Sequence, residues 1–281
     1  MIAATRSPSL RRVGRYMLAA LVVGLVGTVN VYLAGRSIGL VVGGAPAVDW
    51  EQYVEAFRRL DGGDLYAATD TYAYHYSPVL AYAFGLLAPV GVLGWRLLHL
   101  AAALALPSWP MRLLALVSWP LWYDIEAGNL MIFVVLAAAW ALKGNRVGIG
   151  VFLALALLVP RPLMAPVAIW LLWKRPEWRI PFVAAFGAHL LVVVGVGWGH
   201  AWLTALLAAG ADVGIPSNVG PSRFVGTVPW LLIGFPLAAW MTWKGRVGLA
   251  SLAVSPYWLP YYLLMPLLEL VRFDRRQRSA R

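Results

Sequence analysis

Cysteine is missing from all 281 residues, so disulfides, thiolate metal sites and a cysteine nucleophile are excluded. Charge is scarce too: 12% of the residues are Asp, Glu, Lys or Arg, and lysine occurs only as Lys143, Lys174 and Lys244. No Gly-rich loop ends in Lys-Ser or Lys-Thr, which leaves nucleotide hydrolysis without a phosphate cradle. The four histidines, His75, His99, His189 and His200, include no pair at metal-ligand spacing on one helix face.

The bulk of the chain is apolar. With 61% hydrophobic residues and a mean hydropathy of +0.73, it reads as a polytopic membrane protein rather than a water-soluble globule. The formal charge of +11 would point to nucleic acid in a soluble domain. Here the arginines fall in short clusters between apolar runs, as cytoplasmic turns do, and no nucleic-acid partner is expected.

Apolar runs at about 16–34, 97–106, 113–122, 130–142, 147–159, 163–173, 180–197, 224–243, 247–255 and 260–271 give about ten crossings, although several fall short of the ~20 residues of a straight span. The first run follows Arg6, Arg11, Arg12 and Arg15 and lacks a small-residue cleavage site, so it reads as an uncleaved helix. Arg112, Lys143, Arg146, Lys174, Arg175, Arg179, Lys244, Arg246 and the basic tail at 272–281 then mark cytoplasmic turns. Both termini are expected in the cytoplasm. Counting the apolar segment 77–92 as a span would invert every later turn, so it is expected to be interfacial or re-entrant. The whole chain, 1–281, is expected to form one transmembrane domain, with 35–95 as a first outer loop carrying interfacial helices. The outer side then holds most of the acids, including Asp49, Glu51, Glu55, Asp70, Asp124, Glu126 and Asp212.

Within that loop Trp50, Tyr53, Val54, Phe57 and Leu60 recur at helical spacing, which predicts an amphipathic helix lying on the bilayer with Asp49 at its start. A carboxylate there has two readings. It caps the helix, or it serves as a general base whose partial desolvation raises its pKa. Arg161, set between Pro160 and Pro162 at a helix end, is costly at membrane depth unless paired with an anion; it either holds a lipid phosphate, two of whose oxygens its guanidinium can take at once, or snorkels to the headgroups. Arg223, after Asn218-Val219-Gly220-Pro221-Ser222, is a second candidate of the same kind. Asp124 and Glu126, beside Gly128-Asn129, are the carboxylates that could share a divalent cation; they are otherwise solvated turn residues or substrate contacts. His75, among Tyr72, Tyr74 and Tyr76, belongs either to a ring-stacking site or to an interfacial aromatic belt.

Taken in order, Asp49, Gly62-Gly63-Asp64-Leu65-Tyr66, Tyr74-His75-Tyr76-Ser77-Pro78, Gly128-Asn129, Pro160-Arg161-Pro162 and Ser255-Pro256 resemble the GT-C superfamily of membrane glycosyltransferases. Within it the likeness is to the polyprenyl-phosphate-mannose-dependent α-mannosyltransferases, glycosyltransferase family 87. The resemblance implies an all-α integral protein of the bacterial cytoplasmic membrane that works on the outer face in cell-envelope synthesis. It implies transfer of a sugar, mannose first, from a polyprenyl-phosphate donor to a glycan or glycolipid acceptor with inversion. Asp49 would be the catalytic base and Arg161 and Arg223 would steady the leaving phosphate. Tyr53, His75, Tyr76, Asp124, Glu126, Asn129, Asn218 and Tyr257 would contact substrate, among membrane lipids as further partners. The alternative is a non-catalytic polyprenyl-lipid carrier or transporter, or a partner subunit of a glycan-assembly complex.

Overall fold

The computed structural model describes residues 10–66, 74–209 and 217–271. Arg6, Asp70, Tyr72, Asp212 and the basic tail at 272–281 lie outside them. The described residues form fourteen α-helices joined by short turns and 3-10 segments, with no strand. In chain order these are α1 (Leu10–Val42), α2 (Val48–Arg58), α3 (Pro78–Leu87), α4 (Gly91–Leu104), α5 (Trp109–Leu116), α6 (Trp119–Ala127), α7 (Met131–Leu142) and α8 (Arg146–Leu158). They continue as α9 (Ala165–Lys174), α10 (Arg179–Gly195), α11 (Gly199–Ala209), α12 (Ser222–Val225), α13 (Thr227–Trp243) and α14 (Val247–Val254), before a last 3-10 segment, Pro260–Leu267.

The expectation of about ten spans is corrected. Among the described residues three stretches are long and apolar enough to cross a membrane: Gly14–Val42, Pro78–Leu104 and Pro176–Gly195. Five other apolar stretches are shorter, among them Met131–Leu142 and Arg146–Leu158. A helix of about twelve residues measures ~18 Å against a hydrocarbon core of ~30 Å. The run at 224–243 is interrupted at Gly226, and 260–271 opens as a 3-10 turn rather than an α-helix. Composition misled for a specific reason. Helix α7 is apolar on every face because protein surrounds it, with Ile132, Val135 and Ala138 fully buried, and a buried core helix has the same composition as a span. Segment 77–92, expected to be re-entrant, instead continues through α3 and α4 as one of the three long candidates. With the count goes the topology built on it. The ten-span GT-C architecture, the cytoplasmic placement of both termini and the outer-face placement of the site in a bacterial cytoplasmic membrane lose their basis.

Two local devices bring the functional candidates together. Helix α6 ends at Gly128 in the left-handed conformation (φ 72°), and a Cβ there would lie 2.8 Å from the Trp50 Cβ and 3.1 Å from the Ala47 Cβ. Only glycine suits both demands, so the start of α2 closes directly onto the α6–α7 turn. Trp50 then stacks on Trp95 of α4 at 4.8 Å, and the Trp95 indole donates to the Gly128 carbonyl at 2.9 Å. Helix α2 thus buries Trp50, Tyr53 and Ala56 against α3 and α6.

The second device lies between α8 and α9. Pro162 disfavours helical backbone at the preceding residue, and Arg161 is extended (φ −98°, ψ 139°), which breaks the helix there and turns the guanidinium out of the helical register. Helix α3 starts nearby through a Ser77 cap, whose Oγ accepts from the Val79 amide at 3.1 Å with Pro78 in the first turn. The Ser77 amide bonds the Leu158 carbonyl at the end of α8, which sets Tyr76 beside Arg161.

Substituting Gly128→Ala should lower stability by about 1–3 kcal/mol, since alanine must take a left-handed conformation against Trp50. Thermal unfolding of the purified full-length chain checks this. An unchanged midpoint would show that the α2–α6 contact tolerates the added carbon.

Candidate functional site

The polar centre of the molecule is one connected network. Asn129 donates through Nδ2 to Asp49 Oδ2 at 2.6 Å and to the Tyr53 hydroxyl at 3.1 Å. Its Oδ1 accepts from the Leu130 amide at 2.7 Å, and its carbonyl lies 2.6 Å from His99 Nε2, so the amide has little freedom to turn. Tyr53 bonds Tyr76, and Tyr261 reaches the Asp49 carboxyl. Arg161 closes the network. Its Nη1 donates to the Tyr257 hydroxyl at 2.7 Å and the Tyr262 hydroxyl at 2.5 Å, and its Nη2 donates to the Tyr76 hydroxyl at 2.5 Å. The guanidinium carbon also lies 5.0 Å from the centre of the Tyr76 ring.

Arg161 forms part of the wall of a cavity of about 190 Å³, together with His75, Tyr76, Pro160, Pro162, Leu206, Pro256 and Tyr257. Salt bridges among the described residues join Arg58 to Glu55 and Arg246 to Glu269, and His99 Nε2 lies 4.0 Å from Asp124 Oδ2; none includes Arg161. Its bonded partners are phenols, and burial holds those of Tyr76 and Tyr262 above the ordinary tyrosine pKa. The opposite charge that acts on the Arg161 network is Asp49. Burial raises the Asp49 carboxyl above its ordinary pKa, against the lowering effects of the Asn129 bond, the Arg161 charge and the Tyr261 bond.

Of the remaining candidates His75 lines the cavity, and the others make contacts away from its wall. Asp124 is fully buried, and its Oδ2 accepts from the Ile132 amide at 2.8 Å, which caps the start of α7. Burial raises its pKa well above the carboxylate range, with the Asp49 charge adding to the effect. Glu126 is half-buried on the same helix. No group of three or more His, Asp or Glu among the described residues is placed to hold a metal. Asn218 accepts through Oδ1 from the Gly220 and Trp258 amides at 2.9 and 3.0 Å, which pins that loop to the C-terminal segment. Arg223 is exposed and bonds the Asn218 carbonyl at 3.3 Å, away from the cavity wall. His75 reaches the cavity, with Nδ1 3.1 Å from the Ala205 carbonyl.

Asp49, Tyr53, Tyr76, Asn129, Arg161 and Tyr257 therefore come together in space from five places in the sequence. Sequence reasoning passed over Tyr261 and Tyr262. Their signal was present in the run Tyr257-Trp258-Leu259-Pro260-Tyr261-Tyr262, where a proline-started turn sets neighbouring tyrosines toward different partners.

Comparison of the chain with family models, with curated proteins and with solved structures gives no match. The resemblance to family 87 and to the GT-C superfamily is corrected accordingly. No family model supports it, and the spans its architecture requires are not found among the described residues. The enzyme assignment, a polyprenyl-phosphate-sugar-dependent hexosyltransferase, falls on the same findings, as do its lipid-linked donor and its glycan acceptor.

The Asp49 shift has a testable consequence. A carboxyl whose folded pKa is raised stabilises the fold fully below its unfolded value, and that contribution is lost as pH rises through the folded value. Asp49→Asn, which keeps the shape without the charge, should therefore raise the melting midpoint near neutral pH and lose that advantage below about pH 4. Midpoints measured across that pH range test the sign, and a variant less stable than wild type at neutral pH would refute it.

Proposed function

We propose that this protein binds a small ligand through a single oxyanion group, with Arg161 as the recognising cation. The observation that carries the reading is a guanidinium on a cavity wall with hydrogens left over. Nη1 uses both of its hydrogens on Tyr257 and Tyr262, and Nη2 uses one on Tyr76. The Nε hydrogen and the second Nη2 hydrogen remain, and an oxyanion accepts such a pair through two of its oxygens. Three neutral phenols hold the group in place and do not neutralise it.

Arginine stays charged at any accessible pH, and a half-buried charge such as that of Arg161 gains from an opposite charge that meets it. Lining the rest of the cavity with Pro160, Pro162, Pro256 and Leu206 lowers the local dielectric and strengthens a charge-assisted bond there. Size narrows the ligand. About 190 Å³ is below the ~300–1,000 Å³ of pockets that enclose drug-sized molecules. The space suits a phosphate, sulfate or carboxylate group with a few further atoms, whose uncharged part would lie against the prolines and the Tyr257 ring.

Titration calorimetry of the full-length protein with sulfate, phosphate and acetate tests this, using Arg161→Gln and Arg161→Lys as comparisons. Wild type should bind at least one of the three. Arg161→Gln should weaken that binding by about thirtyfold or more, and Arg161→Lys should fall between them, since lysine keeps the charge without the two-pronged geometry. Equal binding by wild type and Arg161→Gln, or no heat of binding with any of the three, would contradict the reading.

A further inference from the structure

We propose that oxyanion binding at Arg161 is coupled to the uptake of one proton by Asp49. The inference rests on the anion-binding reading and adds a second ligand to the same site.

Asp49 and Arg161 are the two charged ends of the network. From Asp49 to Arg161 the path runs through neutral groups, the Asn129 amide and the hydroxyls of Tyr53 and Tyr76. A second link joins the same two ends, because adjacent residues of one 3-10 turn, Tyr261 and Tyr262, bond Asp49 and Arg161 respectively. With the cavity free of anion, the carboxylate and the guanidinium balance each other across this path. An arriving oxyanion takes over the guanidinium at close range. Asp49 is then a half-buried carboxylate with a new negative charge across the network.

Around Asp49 the other groups offer no ready replacement cation; His99 of α4, whose Nε2 lies 2.6 Å from the Asn129 carbonyl, faces the network as an imidazole whose pKa burial lowers. Tyr53 on its own helix, Tyr76 ahead of α3 and Tyr261 of the last 3-10 segment are phenols, Asn129 in the α6–α7 turn is an amide, and Asp124 is acidic. Taking a proton from solvent converts the carboxylate to a carboxylic acid and removes one negative charge, which restores neutrality for a monoanion and halves the excess for sulfate, with no other bond made or broken. The neutral acid keeps its place: one oxygen still accepts from Asn129, and the Tyr261 hydroxyl can accept the new O–H. The direction follows from linkage. If the anion favours protonated Asp49, protonated Asp49 favours the anion equally, so affinity should rise as pH falls, by up to about tenfold per pH unit between the free-state and ligand-bound pKa values.

Sulfate is the suitable probe, since it takes up no proton of its own near neutral pH. Calorimetry of the full-length chain in two buffers of different ionisation enthalpy counts protons taken up per sulfate bound. For wild type the count should approach one between the two pKa values, and for Asp49→Asn it should fall to zero while sulfate still binds. Tyr261→Phe serves as a second variant that keeps the ring and removes the bond lowering the Asp49 pKa. It should move the pH of half-maximal uptake upward. Sulfate binding by wild type with no dependence on buffer at any pH would overturn the coupling and leave the anion site standing. Uptake that persists in Asp49→Asn would assign the proton to another group, Asp124 first, and overturn it too. Absence of sulfate, phosphate and acetate binding would remove the anion site and the coupling with it.

Discussion

A guanidinium held at a cavity wall by three phenol hydroxyls is the constraint on which the rest of the architecture depends. Phenols orient a cation without discharging it, so the segments that bring Tyr76, Tyr257 and Tyr262 to Arg161 must each be anchored for another reason. Tyr76 is placed by the bond between the Ser77 amide and the Leu158 carbonyl, which also starts α3. Placement of Tyr257 and Tyr262 follows from the contact between Ser255 Oγ and the Tyr257 carbonyl and from the Pro260 turn. Arg161 itself is fixed by the prolines on either side. None of these anchors uses the charge, which leaves it to be balanced by Asp49 across the network or by a ligand in the cavity.

Asp49 is the complementary half of the arrangement. It is close enough to Arg161 to feel its field and is separated from it by neutral hydrogen-bonding groups. A direct ion pair would satisfy both partners and close the site. Separation keeps each responsive to the other's occupancy, which is the physical basis for an anion and a proton entering together.

The legible part of the molecule was that written in local chemistry. Arg161 between two prolines, an acidic residue at the start of an amphipathic helix, and Asn129 after Gly128 each stand out because the backbone or the burial cost restricts what can occupy those positions. The number of spans was not legible. Composition cannot distinguish a helix apolar because lipid surrounds it from one, such as α7, apolar because protein does. The tyrosine pair at 261 and 262 was hidden for another reason. In a 3-10 turn neighbouring side chains diverge by about a third of a revolution, so adjacent tyrosines serve different partners, a relation that helical periodicity does not suggest. Gly128 shows the same limit. Its left-handed conformation is foreseeable at a helix end, but its contact with Trp50 is a tertiary fact.

The most direct test of an anion site at Arg161 is a crystal structure of the full-length protein grown with selenate, with data collected at the selenium edge. Anion recognition by this cavity requires an anomalous peak within hydrogen-bonding distance of Arg161 Nε and Nη2, with the bonds to Tyr76, Tyr257 and Tyr262 kept. Finding Arg161 paired directly with a carboxylate of its own chain, with no anomalous peak in the cavity, would contradict it.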